Sequence, residues 1–197
     1  MEYAAALAIG YVLGALPVAL TVACAHGVDL REVGDGNPGA WNALTALGSR
    51  RAAPVFIGDG LKGLLAGLAG GALAGPPGAY AGVAGAMIGH AFPVFSGFKG
   101  GKSVMAFAGG AFAFAPLAAL IALCACAVVS LAGSFRWGAR VGVWGLPLAQ
   151  LAVDPVERVA ATGGLMALIG LRFLPRLRLK RDRSARARSG QDAGSRA

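Results

Sequence analysis

One short segment combines a histidine, paired glycines and two lysines between apolar stretches of the chain. Residues 89–103 read Gly-His-Ala-Phe-Pro-Val-Phe-Ser-Gly-Phe-Lys-Gly-Gly-Lys-Ser, and we call this segment the lysine hook. Glycines let backbone N–H groups approach an anion closely, and lysines supply the opposite charge. Because an apolar run of helix length flanks the lysine hook on each side, we expect a phosphate-binding site at a membrane surface.

Lys102 is the strongest phosphate-binding candidate in the lysine hook. It follows Gly100 and Gly101 and precedes Ser103, which stands where the next helix is expected to begin. The start of a helix presents free N–H groups and the positive end of its dipole, and both favour a phosphate. Lys99 is a second candidate, although a lysine here can also extend its ammonium group to lipid headgroups.

Two further charged residues lie inside an apolar stretch. Asp59 and Lys62 are three residues apart, so they share one face of a helix and can pair. A charge placed within a bilayer costs about 2.5–3.5 kcal/mol, so such residues usually have a task. The pair either joins helices only or holds Lys62 beside an anion, and we expect the latter. His90 ends an apolar helix, where a packing role and a proton-transfer role are both open.

A polar loop over residues 29–51 separates the first two apolar stretches. Within it, residues 34–42 read Gly-Asp-Gly-Asn-Pro-Gly-Ala-Trp-Asn. The frequent glycines indicate a backbone that turns sharply, and Asn37 and Asn42 offer neutral hydrogen-bond donors. A simple surface turn explains this pattern equally well.

The composition indicates a membrane protein. Charged residues make up 14% of the 197-residue chain, against about 25% in a typical soluble domain. The mean hydropathy is +0.65. The three cysteines, Cys24, Cys124 and Cys126, lie in apolar runs without companion ligands, so we expect packing roles for them. No metal and no cofactor are predicted.

Helix-length apolar segments predict an all-α, polytopic membrane bundle of about seven transmembrane helices. They cover residues 3–25, 52–74, 79–95, 103–115, 116–133, 141–153 and 159–174. We expect residues 1–175 to form a single transmembrane helical domain. Residues 176–197 are predicted to form a basic, disordered tail in the cytosol.

The distribution of charge predicts the orientation. The loops and the tail on one side carry most cations, including Arg31, Arg50, Arg51, Lys99, Lys102, Arg136 and Arg140. The opposite side carries Glu2, Asp154, Glu157 and Arg158. The positive-inside rule then puts the N-terminus outside and the C-terminus in the cytosol. The basic tail fits anionic membrane lipid better than nucleic acid, and no obligate protein partner is evident.

Three motifs in a fixed order carry a resemblance to a known family. They are Asp29-x-Arg31 with Gly36-Asn37-x-Gly39-Ala40-x-Asn42, then Asp59-x-x-Lys62-Gly63, then the lysine hook. The chain resembles the bacterial acyl-phosphate:glycerol-3-phosphate acyltransferase family. The resemblance implies a multi-pass protein of the bacterial plasma membrane with its site facing the cytosol. It also implies that acyl phosphate gives its acyl group to the 1-hydroxyl of glycerol 3-phosphate, forming lysophosphatidic acid in phospholipid synthesis.

These substrates suggest roles for the candidate residues. An acyl phosphate is already activated, so the protein needs to align the reactants, neutralise two phosphates and stabilise a developing oxyanion. We expect the oxyanion to be bound by the N–H groups of Gly100 and Gly101 with Asn37 or Asn42. A substrate phosphate, or His90, would accept the hydroxyl proton. The predicted catalytic residues are Asn37, Asn42, His90 and Lys102. The predicted phosphate-binding residues are Asp59, Lys62, Lys99, Gly100, Gly101, Lys102 and Ser103.

The chain departs from the family pattern at several positions, and so resembles a divergent member. Asp35 stands where the family usually has serine, Thr45 where it has arginine, and Ser103 where it has glycine. Residues 171–175 read Leu-Arg-Phe-Leu-Pro in place of a His-Arg-x-Asn-Ile pattern.

Three explanations of these departures are open. Other cations restore activity, the candidates being Arg31, Arg136 and Arg172. Alternatively, the chain is a catalytically silent paralogue that binds a phospholipid or a phosphate metabolite. A small transporter that uses Asp59 and Lys62 is the least favoured, because the sequence shows no inverted repeat.

Overall fold

The computed structural model describes residues 1–173, where all regular structure is helical. The helices are α1 (Glu2–Ala15), α2 (Val18–Cys24), α3 (Ala40–Leu47), α4 (Ser49–Ala91), α5 (Val104–Phe114), α6 (Pro116–Ala132), α7 (Phe135–Val153) and α8 (residues 156–173). A short 3₁₀ turn, Val94–Ser96, lies within the lysine hook. The predicted tail at 176–197 lies outside the described residues.

A proline interrupts the first apolar stretch. The sequence predicted one helix over residues 3–25, which is wrong at Leu16 and Pro17, where α1 ends and α2 has yet to begin. Leu16 has extended backbone angles (φ −57°, ψ 125°), as expected for a residue before proline. Proline also has no N–H to donate to the preceding turn. The break leaves the carbonyl group of Leu16 available to a side chain.

Helix α4 contains two of the predicted spans, folded back on one another. Its backbone leaves helical geometry at Ala74 and at Gly75, which has a positive φ of 62°. Pro76 and Pro77 then begin the second half of α4, where a proline can be accommodated because the first N–H groups of a helix have no partner. The two halves approach so closely that a Cβ on Gly70 would collide with the carbonyl oxygen of Gly78.

Helix α3 is a correction to the predicted polar loop at 29–51. Residues 40–47 contain enough apolar positions to bury one face, which includes Ala40, Asn42 and Ala43. This face packs against α2 and the first half of α4 in a small core that also includes Leu30 and Val55. Because several glycines precede Ala40, the sequence pattern predicted a loop where this short helix forms.

Small residues bring α1 against the second half of α4. A Cβ added to Gly10 would collide with the backbone of Gly82, and one added to Gly14 would collide with that of Ala86. Small residues spaced four apart are a common device for close helix packing within membranes. Because α4 also packs against α5, it is the central element of the described fold.

Large apolar side chains remain exposed along several helices. Examples are Leu65 and Leu68 on α4, Leu120 on α6 and Trp144 on α7, each about half exposed or more. Within residues 1–173, Glu2–Cys24 and Ser49–Ser96 are long and apolar enough to cross a membrane. Val104–Phe114 and Pro116–Ala132 are shorter apolar helices. Such an exposed apolar surface suits contact with lipid.

Candidate active site

The site is built around a buried ion pair on the first half of α4. Asp59 and Lys62 are 1% and 5% exposed, and Lys62 Nζ lies 2.9 Å from Asp59 Oδ1. Lys62 Nζ also donates a hydrogen bond to the carbonyl oxygen of Leu16, at 3.3 Å. The lysine therefore joins α4 to the break between α1 and α2, and the predicted pairing of Asp59 with Lys62 is present.

His90 approaches the same carboxylate from the second half of α4. Its Nδ1 lies 3.6 Å from Asp59 Oδ1, which is beyond hydrogen-bond distance but close enough for electrostatic attraction. Asp59 Oδ2 is buried and has no hydrogen-bond partner among residues 1–173. A buried acceptor without a partner is unusual and marks Asp59 as a candidate functional group.

A narrow cleft of about 20 Å³ opens at this cluster. Its polar wall includes Asp59, Lys62, His90 and Lys99, together with the backbone of Gly100. The remaining wall is formed largely by residues near the α1–α2 break and by prolines, namely Gly14, Leu16, Pro17, Val18, Ala19, Leu20, Pro38, Pro93 and Ser96. The cleft thus places cationic side chains beside apolar ones.

The paired glycines of the lysine hook let it fold back onto His90. The N–H of Gly101 donates to the carbonyl oxygen of His90 at 3.0 Å, and the N–H of Gly100 donates to that of Ala91 at 3.2 Å. A Cβ on Gly101 would collide with the imidazole ring of His90. Both N–H groups are therefore engaged within the protein. The two glycines allow the backbone of the lysine hook to approach His90 closely. Their N–H groups, which were expected to bind an oxyanion, donate to main-chain carbonyl oxygens instead.

Arg172 on α8 fixes the lysine hook from outside. Its Nη2 and Nε donate to the carbonyl oxygens of Gly100 and Gly101, each at 3.2 Å. Its guanidinium also lies over the ring of Phe92, 4.7 Å from the centroid. Arg172 thus ties α8 to the lysine hook through main-chain carbonyl oxygens.

Lys102 is directed to the loop before α3. Its Nζ lies 3.1 Å from Asp35 Oδ2 and 4.8 Å from the centroid of the Phe173 ring. Asp35 Oδ1 in turn accepts the backbone N–H of Asn37, at 3.1 Å. Lys102 is not among the residues that line the cleft, whereas Lys99 is.

Asn42 organises that loop from the first turn of α3. Its Nδ2 donates to the carbonyl oxygens of Leu30 and Val33, at 2.8 and 3.0 Å, and its Oδ1 accepts the N–H of Asp35 at 3.4 Å. The side chain is 1% exposed. The side-chain amide of Asn42 therefore holds three points of the loop together. Asp35 contacts both Asn42 and Lys102, and so links the two.

Comparison with known proteins identifies the family. The sequence model of the glycerol-3-phosphate acyltransferase family matches residues 4–181. The chain belongs to the glycerol-3-phosphate acyltransferase family. The family predicted from the three motifs is therefore confirmed.

Named acyltransferases resemble the chain over much of its length. A glycerol-3-phosphate acyltransferase of Rubrobacter xylanophilus is 43% identical over 128 residues, which make up 64% of this chain and 64% of that relative. One from Neisseria gonorrhoeae is 38% identical over 179 residues, covering 85% of this chain and 88% of the relative.

Solved structures of the family share the fold. Two crystal structures of PlsY, an integral membrane glycerol 3-phosphate acyltransferase, each align with 94% of both chains. The glycerol 3-phosphate form has a TM-score of 0.79 at 30% identity, and the lysophosphatidic acid form has 0.77 at 28%. These likenesses confirm the prediction of an all-α membrane protein of the acyltransferase family.

Ser103, which stands where this acyltransferase family usually has glycine, begins α5 in a left-handed conformation. Its φ is 63°, a region that favours glycine. Its hydroxyl donates to the carbonyl oxygen of Met87 at 2.6 Å. The hydroxyl thus bonds across to α4, and the serine offsets some backbone strain with this buried hydrogen bond.

The other candidate arginines have partners outside the cleft. Arg31 forms a salt bridge to Asp29 at 2.7 Å, and its side-chain hydrogen bonds lower the pKa of that carboxyl group to about 2. The pair is therefore charged at neutral pH. Arg136 lies over the ring of Trp41, 5.7 Å from its centroid, and Trp41 stacks on Phe135. Neither arginine lines the cleft.

The structure thus brings the predicted site residues into two adjoining groups. The cleft holds Asp59, Lys62, His90, Lys99 and Gly100, and the loop group holds Asn37, Asn42 and Lys102 around Asp35. The hydrogen bond from Lys62 to the carbonyl oxygen of Leu16 was not predicted from the sequence. Pro17, a proline within an otherwise apolar run, is the sequence feature that indicates the helix break behind this contact.

Replacement of Asn42 tests its role in the loop. Asn42→Ala leaves the buried carbonyl oxygen of Leu30 without its side-chain donor and removes one of two donors to that of Val33, which keeps the N–H of Gly36. It should lower the free energy of unfolding by about 1–3 kcal/mol. Thermal unfolding in detergent measures this loss. The control is Thr45→Ala, an exposed neighbour on the same helix that bonds only to its own turn. Equal stability of the two variants would contradict this role.

Two replacements of Ser103 separate its hydrogen bond from its backbone conformation. Ser103→Ala and Ser103→Gly both lose the bond to Met87, but only glycine also relieves the left-handed strain. We expect the glycine variant to be more stable than the alanine variant by about 1–2 kcal/mol, measured by thermal unfolding. Equal stability of the alanine and glycine variants would show that the left-handed backbone conformation of residue 103 carries no strain.

Proposed function

We propose that the chain transfers a long-chain fatty acyl group from acyl phosphate to the 1-hydroxyl of glycerol 3-phosphate, forming lysophosphatidic acid and inorganic phosphate. The acyltransferase class follows from the family. The observation that carries the choice of substrates is the cleft, where Lys62 and Lys99 stand beside an apolar wall. That combination suits a soluble dianion and a phosphate with a lipid tail.

Charge neutralisation is the first task of this cleft. Two phosphates brought together repel, and the ammonium groups of Lys62 and Lys99 offset that repulsion. The carboxylate of Asp59 holds Lys62 in place, since Asp59 is buried and its Oδ1 lies 2.9 Å from Lys62 Nζ. The second oxygen of Asp59 is available to accept a hydrogen bond from a glycerol hydroxyl.

The chemical step needs no covalent enzyme intermediate. The 1-oxygen of glycerol 3-phosphate attacks the acyl carbonyl carbon, and a new C–O ester bond forms. The C–O bond to the phosphate breaks, and inorganic phosphate leaves with the electron pair. A phosphate oxygen accepts the hydroxyl proton, and His90 is the second acceptor that the cleft offers. Alignment and charge stabilisation therefore supply most of the rate enhancement.

Phosphate binding by Lys102 and oxyanion stabilisation by Asn37 belong to the same proposal, whereas Asn42, the other residue predicted to stabilise the oxyanion, has its amide N–H groups bound to backbone carbonyl oxygens. Lys102 and Asn37 both contact Asp35, and Asn42 fixes the loop that carries it. Asn37 is 8% exposed, so its amide is largely shielded from water. We assign Asn42 and Ser103 to positioning, because their polar groups bond to backbone carbonyls.

The membrane arrangement is also part of this proposal. Seven crossings with the N-terminus outside would put the polar loop, the lysine hook and the basic tail in the bacterial cytosol, where glycerol 3-phosphate is available. The exposed apolar side chains on α1, α4, α6 and α7 support contact with lipid along these helices. The basic residues of 176–197 would then face anionic lipid headgroups.

Turnover of purified protein tests the proposed function. Palmitoyl phosphate and glycerol 3-phosphate should yield lysophosphatidic acid and an equal amount of inorganic phosphate. Lys62→Met should lower kcat/KM by about 10²–10³-fold, because a charged contact to phosphate is lost. The double variant Asp59→Asn/Lys62→Met should be equally impaired while leaving no unpaired buried charge.

The matched control for that assay is Arg50→Gln. Arg50 is an exposed cation at the start of α4 that does not line the cleft. It should retain near-normal turnover. Absence of turnover by well-folded wild-type protein in several lipids would contradict the proposal. That result would favour the catalytically silent paralogue, which the replaced family positions at Asp35 and Thr45 also suggest.

Replacement of His90 identifies the proton acceptor. If a substrate phosphate takes the proton, His90→Gln should lower kcat by less than about tenfold, because a general base contributes about 10²–10⁴-fold. Steady-state kinetics with both substrates saturating gives this ratio. A loss of a hundredfold or more, with an unchanged unfolding temperature, would assign the base to His90.

A further inference from the structure

An ion pair joins the lysine hook to the loop before α3. Lys102 Nζ lies 3.1 Å from Asp35 Oδ2, and the two side chains are 17% and 33% exposed. Backbone contacts hold the carboxylate in place, because Oδ1 accepts the N–H of Asn37 and the N–H of Asp35 donates to Asn42. The loop therefore presents a positioned anion to a lysine of the site.

We propose that Asp35 is a specificity-determining residue whose carboxylate competes with a reactant's phosphate for Lys102. A phosphate reaches Lys102 only when it displaces Asp35. This inference rests on the proposed function, since the competing phosphate is taken to be that of a reactant.

Charge explains what this competition selects. A phosphate monoester carries about −1.5 to −2 at pH 7 and three acceptor oxygens, whereas the carboxylate of Asp35 carries one negative charge. A phosphate group can therefore replace Asp35 at the ammonium group, while a carboxylate ligand gains nothing over the residue already present. Asp35 thus lowers the affinity for carboxylates more than the affinity for phosphates, and so sharpens the preference for phosphate.

The surroundings of Lys102 permit the exchange. Lysine has a flexible four-carbon stem, and its ammonium group is not confined to one bidentate geometry. The pair is partly exposed to solvent, so breaking it costs little. Gly100, two residues earlier, lines the cleft, so Lys102 lies close to the cleft along the chain.

Neutralising Asp35 tests the proposal. Asp35→Asn keeps the size of the side chain and removes its charge, and should lower the KM of the competing reactant about three- to tenfold. Asp35→Ser is the second variant, in case the amide disturbs the loop. The matched control is Glu32→Gln, which removes the same charge from an exposed position in the same loop and should change KM less than about twofold.

Two separate KM measurements identify which reactant's phosphate competes with Asp35 for Lys102. KM is measured for glycerol 3-phosphate at saturating palmitoyl phosphate, and for palmitoyl phosphate at saturating glycerol 3-phosphate. The KM that falls in Asp35→Asn identifies the reactant that uses Lys102. In a Lys102→Met background, Asp35→Asn should have no comparable effect. An unchanged or raised KM for both reactants, an equal effect of Glu32→Gln, or persistence of the effect without Lys102 would each overturn the proposal.

Binding measurements in the absence of turnover test the competition between Asp35 and phosphate independently of the acyl transfer reaction. Calorimetric titration with inorganic phosphate and with glycerol 3-phosphate should show tighter binding to Asp35→Asn than to wild type, by the same three- to tenfold. Titration with acetate should show no binding to wild type. If wild-type protein does not turn over but phosphate binding follows this pattern, the proposed function fails and the competition stands. If turnover occurs and phosphate binding is unaffected by Asp35→Asn, the competition is refuted.

Discussion

The buried ion pair between Asp59 and Lys62 is the interaction on which the site depends. A lysine within an apolar helix is tolerated only when its charge is paired, and Asp59 supplies that pairing one turn away. The same ammonium group bonds to Leu16, at the place where Pro17 interrupts the first helical stretch. The ion pair therefore links α4 to the α1–α2 break and, through His90, to the beginning of the lysine hook.

Close backbone approach is the second constraint, and glycine satisfies it. Gly63, directly after Lys62, packs against the carbonyl of Ala106 on α5, and Gly101 packs against the ring of His90. A side chain at either position would separate elements that carry the site. Arg172 and Asn42 then hold the two non-helical parts of the arrangement, the lysine hook and the polar loop, through backbone carbonyls. The polar network is thus made mostly of side chains that bind main-chain oxygens.

Much of this arrangement can be predicted from the sequence, and there are physical reasons why the other features could not be. The spacing of Asp59 and Lys62 predicted their pairing, and the predicted spans at 52–74 and 79–95 were separated where the non-helical backbone at Ala74 and Gly75 divides α4. Helix α3 was missed because its few apolar residues adjoin a glycine-rich loop. The pairing of Lys102 with Asp35 joins residues far apart in sequence, so no local pattern reveals it. The N–H groups of Gly100 and Gly101 were expected to face a ligand, but a fold-back onto His90 and Ala91 engages them.

A crystal structure with glycerol 3-phosphate bound tests the central claim most directly, namely that the cleft at Asp59, Lys62 and Lys99 receives a phosphorylated reactant. The account predicts phosphate oxygens within about 3 Å of a lysine Nζ in this cleft, as a charge-assisted hydrogen bond requires. Density for the phosphate at any other part of the chain, with the cleft occupied by protein side chains alone, would contradict it.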